Sequence, residues 1–334
     1  MPTYKDTDFL AISSRIRYLE TKLLKRDAFE RLLSCADDAE AVRFLTELGY
    51  GEGEAVADPS SPESVLEAEQ DRVCRFVAQN VPTSVLTDVI RLPYDYLNIK
   101  AALKAERLGI SPDRMTVSGG TIETPLLCEA VRKRDREMLT PYMMKAVEQA
   151  LDASARSNDP QQIDLICDRV CYAEILDRAE SSGMSFITEY ITKKVDLINL
   201  LIFLRLKKIG KDLPFFLQTY IPTQKGLGEP FFAALYDRPL PDFMEALRTT
   251  PYAFLPEKFG TGTLPPMFVL ERTVKKMTTD LLGQMMNVSF GPQIPFAYLI
   301  MKIEEIENVR IVLSSRAAGL DMTSVMERLS VEYV

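Results

Sequence analysis

One pattern occurs three times in this chain: an acidic residue, an asparagine three residues later, and a glycine eleven residues after that asparagine. The three copies are Asp95, Asn98 and Gly109; Asp196, Asn199 and Gly210; and Glu305, Asn308 and Gly319. Apolar residues stand two positions before and one and five positions after each asparagine, and steps of three and four place them on one stripe of a helix. The pattern therefore predicts three related amphipathic helices, each of which ends at a glycine C-cap.

The apolar stripe of each copy has three members. They are Tyr96, Ile99 and Leu103; Leu197, Leu200 and Leu204; and Ile306, Val309 and Leu313. Asparagine is a poor helix former, about 0.6 kcal/mol worse than alanine, so its repetition near the middle of a helix needs a reason. We expect the acid and the asparagine to bind backbone groups of the next helix end or loop and so to fix the angle between helices. A row of acid–amide sites that bind a ligand is the alternative.

A weaker fourth copy lies near the start of the chain. It keeps Asp8 and the stripe Phe9, Ile12 and Ile16, but Ala11 replaces the asparagine and Lys22 replaces the glycine. Downstream, "FERLLS" (29–34) falls opposite "MERLS" (326–330) without a gap. A fold built from similar modules needs the same packing contacts in each module, so the repetition favours a modular fold.

Most of the remaining sequence has helical periodicity as well. Helix starts are predicted at Ser61–Pro62, Thr124–Pro125, Thr140–Pro141, Asp159–Pro160 and Pro265–Pro266, and the second of these helices is expected to run to residue 139. Loops are predicted at 49–62, 110–120, 220–230 and 255–266. Alternating strand patterns are almost absent, so the sequence predicts an all-α fold of roughly twelve or more helices.

Length and spacing favour several modules over one core. The chain has 334 residues, and 46% of them are hydrophobic. This length exceeds the about 250–300 residues at which single cores tend to split. Copies of the pattern lie 101 and 109 residues apart, too far for a simple solenoid, so each module is expected to be a bundle of several helices.

Composition excludes several classes of function. A net charge of −8 disfavours nucleic acid and anionic membrane surfaces as partners, and the densest basic run, "RKRDR" (132–136), suits a solvated helix face. The absence of histidine excludes every histidine-based catalytic scheme. Five widely spaced cysteines favour thiols in a reducing compartment, and Cys167 and Cys171 lack further ligands for zinc.

Membrane and nucleotide motifs are missing too. The first residues do not resemble a signal peptide, and the longest apolar run, "LINLLIFL" (197–204), is far shorter than the about 20 residues of a span. We therefore expect a soluble chain, or one that meets a membrane only through partners. No phosphate-binding glycine motif occurs. A carboxylate- or Mg²⁺-dependent helical enzyme stays open as an alternative, with "CADDAEA" (35–41) as its nearest candidate site.

Five passages resemble the C subunit of V/A-type rotary ATPases, whose eukaryotic relative is the d subunit of V-type ATPases. They are "ISSRIRYLETKLL" (12–24), "LPYDYLNIKAALKAERLG" (92–109), "GGTIE" (119–123), "KKVDLINLLIFLRLKKIG" (193–210) and "FGPQIPFAYLIMKIEEIENVRIVLSSRAAGL" (290–320). The resemblance implies a funnel of three similar helical bundles around a pseudo-threefold axis. It leaves open whether the first and last segments complete one bundle together. We place the modules at 1–115, 116–222 and 223–334.

The resemblance also implies a function. Such a protein lies on the cytoplasmic face of the membrane, receives the central stalk, subunits D and F, and joins it to the membrane proteolipid ring. It would transmit torque for proton or sodium ion transport without catalysing a reaction. No catalytic, cofactor-binding or metal-binding residue, no cofactor and no small-molecule substrate is therefore expected. A helical-repeat adaptor outside any ATPase is the runner-up.

Contact loops are a further expectation. Permanent interfaces are rich in aromatic residues and methionine, and this chain has 14 Met, 16 Phe and 13 Tyr. The loops 110–120, 220–230 and 255–266 would expose Met115, Tyr220 and Phe259 to the ring or stalk. Loops that merely join helices are the alternative.

Overall fold

The computed structural model describes residues 4–156, 159–326 and 329. Within that part the chain is helical and contains no strand. A 3₁₀-helix, Asp6–Phe9, precedes sixteen α-helices. These are α1 Leu10–Glu20, α2 Arg26–Ser34, α3 Asp38–Glu47, α4 Pro62–Asn80, α5 Val85–Leu108, α6 Thr124–Lys133, α7 Pro141–Arg156, α8 Gln161–Ser181, α9 Ser185–Lys208, α10 Leu213–Thr219, α11 Glu229–Leu235, α12 Leu240–Leu247, α13 Phe254–Phe259, α14 Met267–Met286, α15 Gln293–Ala317 and α16 Met322–Met326. The predicted all-α class is confirmed.

Several predicted helix starts are confirmed by their caps. The Ser61 hydroxyl accepts from the Ser64 amide, at 3.5 Å, at the start of α4, and the Thr140 hydroxyl accepts from the Met143 amide, at 3.1 Å, at the start of α7. Each satisfies an amide that the helix itself leaves without a partner. Asp159 serves α8 in the same way, because its carboxylate accepts from the Gln161 amide at 2.9 Å.

Two predicted boundaries are wrong. The helix expected over 124–139 ends at Lys133, because Arg134 takes a left-handed conformation with φ of 57°. The Asp135 carboxylate then accepts from the amides of Glu137 and Met138, so the basic run 132–136 lies only partly on a helix. The loop predicted at 255–266 contains most of α13, which buries Leu255.

The chain divides into two compact units. Unit 1 consists of residues up to 101, 111–129 and 276 onward; unit 2 consists of residues 102–110 and 130–275. The three sequence modules, at 1–115, 116–222 and 223–334, remain a prediction, since relatedness of repeats and compactness are different properties.

The core of unit 1 joins the two ends of the chain. Helices α2 and α3 bury Phe29, Leu32 and Leu45 in the same cluster as Ile306 and Val309 of α15. Helix α15 packs against α1, α2 and α4, and α16 packs against α2. The first fifty residues and the last helices thus share one hydrophobic core.

The core of unit 2 is aromatic. The Phe203 ring of α9 stacks on Phe243 at 4.1 Å between centroids and meets Phe216 and Tyr236 edge-on at 5.5 and 5.3 Å. Phe232 completes the cluster at 5.6 Å from Phe203. Aromatic pairs in these geometries stabilise a core beyond their buried area. Part of the aromatic content that suggested interfaces therefore belongs to the interior.

The repeated acid–asparagine sites

Helices α5, α9 and α15 carry the three copies of the pattern. Because the acid and the asparagine are three residues apart, both project from one side of the helix, next to the apolar stripe. All six side chains are buried. They are Asp95, Asn98, Asp196, Asn199, Glu305 and Asn308. The nine stripe residues are buried as well, which confirms the predicted face.

The first site ties α5 to the loop that follows it. The Asn98 amide donates to the Val117 carbonyl at 2.9 Å, and the Val117 amide donates back to Asn98 Oδ1 at 2.8 Å. Asp95 accepts from the amides of Thr121 and Ile122 at 2.9 and 3.2 Å and from the Thr121 hydroxyl at 2.6 Å. One asparagine thus satisfies both backbone groups of a loop residue, and one carboxylate satisfies two further amides.

The second site repeats this arrangement in α9. Asn199 donates to the Ile221 carbonyl at 2.8 Å and accepts from the Ile221 amide at 2.9 Å. The Leu227 amide lies 2.9 Å from each carboxylate oxygen of Asp196, and the Tyr252 hydroxyl donates to Asp196 at 2.7 Å. The predicted role, a side-chain bridge to the backbone of the next loop, is confirmed at both sites.

The third site uses a loop from the opposite end of the chain. Glu305 accepts from the Leu24 amide in the α1–α2 linker and from the Tyr50 hydroxyl at 2.5 Å. Lys302 of the same helix donates to Glu305 at 2.6 Å. Asn308 is fully buried beside it. The acid of the last copy therefore holds the N-terminal segment instead of a loop that follows it.

Burial shapes the chemistry of these acids. It raises the pKa of Asp95 and of Asp196, while the hydrogen bonds that each carboxylate accepts oppose that shift. Burial and the neighbouring Asp196 charge raise the pKa of Tyr252. The carboxylates of Asp95, Asp196 and Glu305 thus accept from backbone amides and from neighbouring side chains.

Two loop glycines allow the carboxylates to come close, and the sequence analysis did not assign them this role. A Cβ on Gly120 would lie 2.2 Å from Asp95 Oδ1, and a Cβ on Gly226 would lie 2.2 Å from Asp196 Oδ1. Both glycines directly precede a residue whose amide donates to the acid. The only sequence signal was the "GGTIE" passage, which contains Gly120.

The three helix ends are also alike. Gly109, Gly210 and Gly319 have φ of 66°, 71° and 67°. After each glycine an amide returns to the carbonyl five residues earlier: Ile110 to Ala105 at 3.1 Å, Lys211 to Leu206 at 3.0 Å and Leu320 to Ser315 at 3.0 Å. This is the Schellman motif, so the predicted glycine C-caps are confirmed.

The weak fourth copy keeps the buried apolar stripe but lacks the buried acid–asparagine pair. Phe9, Ile12 and Ile16 are buried, whereas Asp8 is exposed and accepts from the Lys5 amide at 3.0 Å. It caps its own helix start. Most of the segment 326–330, which supported the register, lies outside the described residues.

The other candidate sites resolve into structural roles. In "CADDAEA", Asp37 accepts from the Glu40 amide at 2.8 Å, Glu40 accepts from the Ala36 amide at 2.8 Å, and Asp38 pairs with Arg316. Its carboxylates cap α3 and pair with α15. Cys167 and Cys171 are buried in α8, and all five cysteines are thiols. Over the described part of the chain, no three cysteine or acidic side chains group as metal ligands would.

The predicted contact loops are only partly exposed. Met115 is 39% exposed, as expected. Tyr220 is buried, because its ring joins the Phe216 and Phe232 cluster and its hydroxyl donates to the Leu227 carbonyl at 3.0 Å, so its predicted exposure is wrong. Phe259 is half-buried.

Across the described residues, none of the helices combines the length and the apolar character that crossing a bilayer requires. The chain matches the ATP synthase (C/AC39) subunit family over residues 12–328. The chain belongs to this family. It is therefore a C subunit of a V/A-type ATPase or ATP synthase, one part of a larger complex and structural rather than catalytic.

Known relatives are similar over almost their whole length. The V-type sodium ATPase C subunit of Enterococcus hirae is 20% identical, with 98% of this chain and 99% of the relative covered. The A-type ATP synthase C subunit of Methanococcoides burtonii is 20% identical, with 97% and 94% covered. That of Methanosarcina acetivorans is 21% identical, with 95% and 91% covered.

Proposed function

We propose that this chain couples the central stalk, subunits D and F, to the membrane proteolipid ring and transmits torque for proton or sodium ion transport. It acts on the cytoplasmic face of the membrane and is held there by its partners. The observation that carries the proposal is the family match over residues 12–328, together with relatives named as the C subunits of a sodium ATPase and of ATP synthases.

The repeated sites suit this role physically. A part that transmits torque needs loops and helices that keep their positions under load. Asn98 and Asn199 each hold both backbone groups of one loop residue, and buried, fully satisfied polar contacts make a fold rigid and specific. The activity of such a part lies in its shape, and a reactive group is not required.

Exposed aliphatic side chains mark the ends of the three pattern helices. Leu108 and Ile110 flank the first glycine, Ile209 precedes the second and Leu320 follows the third, and all four are exposed. Isolated apolar residues on a surface need no explanation, but each of the three copies has an exposed aliphatic residue next to its glycine, on one side or the other, and such a recurrence suits a surface that partner proteins cover. We therefore place stalk or ring contacts at these helix ends.

Binding to the stalk tests the proposal. Immobilised chain should retain a purified D–F complex, and the chain alone should not hydrolyse ATP. Failure to bind any rotary stalk or ring component would make the chain an adaptor of another kind.

The contacts at the helix ends are tested by the double variant Leu108→Lys, Ile209→Lys. It should lower incorporation of the chain into the complex about tenfold without changing its melting temperature. Leu126→Lys is the control, because Leu126 is an exposed leucine of α6 that belongs to none of the three pattern helices.

A further inference from the structure

A cluster of four charges lies between α4 and α15 in unit 1: Glu69, Lys302 and Glu305 are buried, and Arg72 is partly exposed. Arg72 donates to both carboxylate oxygens of Glu69 at 2.8 Å, and both residues belong to α4. Lys302 lies 2.6 Å from Glu305 on α15 and 3.1 Å from Glu69 across the gap. Burial alone would raise the pKa of Glu69, but the hydrogen bonds from Arg72 and the charge of Lys302 hold this pKa below its ordinary value. The two acids and two bases therefore neutralise one another within these two helices.

Three neutral donors of the N-terminal segment bind the carboxylates of this cluster. The amides of Leu24 and Gly51 and the hydroxyl of Tyr50 donate to the two carboxylates. The Tyr50 ring also lies under the Lys302 ammonium, at 4.1 Å. If this segment moved away, no buried ion pair would break, and water could replace the neutral donors. Separation thus avoids the large cost of leaving a buried charge without its partner.

Other polar contacts between the described part of the segment and the rest of unit 1 join a charged or polar group to a neutral one, apart from one ion pair. Arg17 donates to the carbonyls of Met286 and Val288, and Arg15 donates to Asn80. The exception is the ion pair of Asp38 with Arg316. In this pair the Asp38 side chain is 64% exposed and the Arg316 side chain 12% exposed. An ion pair with one partner in solvent contributes little to stability.

The connection to the rest of the chain is suited to a hinge. Residues 52–61 link the segment to α4, contain no helix or strand, and read "EGEAVADPSS". Gly53 has φ of 80° with open space where a Cβ would lie. After it, Glu54 pairs with Arg75 of α4 at 2.7 Å, and Val56 packs against the core of unit 1. The chain can therefore change direction at Gly53 while Glu54 stays paired with α4.

We propose that residues 4–51 form a strap that opens from α4 and α15 as one cooperative unit, with the charge cluster as its preformed anchor. The strap closes when Leu24, Tyr50 and Gly51 dock on carboxylates that α4 and α15 already hold in place. Apolar contacts of α2 and α3 with α15 supply the rest of the attraction. Opening exposes the apolar face of α15 while the four charges stay paired.

Hydrogen exchange measured by mass spectrometry on the full chain tests the strap. In the wild type, amides of residues 24–50 should exchange before those in the middle of α4 and α15. Tyr50→Phe removes one donor to Glu305 and keeps the ring over Lys302. It should speed exchange in 24–50 about tenfold and change α4 and α15 less than about twofold.

The matched control is Tyr252→Phe, which removes the equivalent hydroxyl from Asp196 in unit 2. It should leave exchange in 24–50 unchanged and act on residues 221–227. The proposal is overturned if strap, α4 and α15 amides exchange at one common rate in the wild type. It is equally overturned if Tyr50→Phe speeds all three by the same factor, since the tyrosine would then only stabilise unit 1 as a whole.

Discussion

At the scale of single residues, each acid is matched to the loop residue that approaches it. Asp95 and Asp196 are short and meet loops in which Gly120 and Gly226 permit close contact. Glu305 is one methylene longer, and the residue before its donor amide is Leu23, not glycine. The longer side chain of glutamate allows the helix to bind a loop amide that no glycine precedes. Across the three copies, a short acid is thus paired with a glycine and a long acid with a larger residue.

This matching predicts the effect of adding one carbon. Gly226→Ala would place a Cβ 2.2 Å from Asp196 Oδ1, so loop or helix must shift. We expect the free energy of unfolding to fall by about 1–3 kcal/mol, as in other overpacked interiors. Gly262→Ala is the control, because a Cβ there meets nothing within 4 Å. Urea unfolding of both variants measures the difference; equal stability would contradict the close approach.

The sequence could predict the asparagine sites but not their glycines. Helical spacing placed Asn98 and Asn199 next to a buried stripe, where an amide side chain needs backbone partners, and this was enough to predict their role. Gly226 lies thirty residues after Asp196. Nothing in the local pattern relates positions so far apart, and only the folded loop brings them together.

At the scale of elements, local signals predicted capped helix starts and glycine-capped helix ends, but they did not predict the end of α6 or the presence of α13. Ser61 and Thr140 work as caps because the cap and the amide it satisfies are three residues apart. Helix α6 ends at Lys133, because the next residue, Arg134, takes a left-handed conformation that is unfavourable for a non-glycine residue and that periodicity cannot reveal. Helix α13 forms inside a stretch of loop-like composition, where Leu255 and Pro256 are buried, so tertiary packing overrides local preference.

The buried acids Asp196 and Glu69 should make the free energy of unfolding respond to pH in opposite directions. The raised pKa of Asp196 means that the folded chain holds this proton more tightly than the unfolded chain. Its contribution to the free energy of unfolding is therefore complete below about pH 4 and declines as the pH rises through the raised value. The lowered pKa of Glu69 gives the reverse: its contribution is present above about pH 4.3 and is lost as the pH falls.

Unfolding by urea between pH 3.5 and 7 separates the two. The stability of the wild type relative to Asp196→Asn should decrease with rising pH, whereas its stability relative to Glu69→Gln should increase. If both differences change in the same direction, the two carboxylates do not differ in environment as the structure indicates.

At the scale of the whole molecule, the chain builds related sites from unrelated stretches of sequence. The third acid belongs to the last long helix yet binds Leu24 and Tyr50, near the start of the chain. Repeat spacing alone could not predict this partner, because the copy of the pattern nearest the start lacks its asparagine. Composition misled in a similar way: Tyr220, expected at a contact loop, belongs to the aromatic core of unit 2.

The most direct test of coupling without catalysis uses membrane vesicles that hold the rotary complex with and without this chain. We predict that ATP hydrolysis by the catalytic head continues when the chain is omitted, that ATP-driven ion uptake stops, and that adding the purified chain restores uptake. Ion uptake that continues undiminished without the chain would contradict the account.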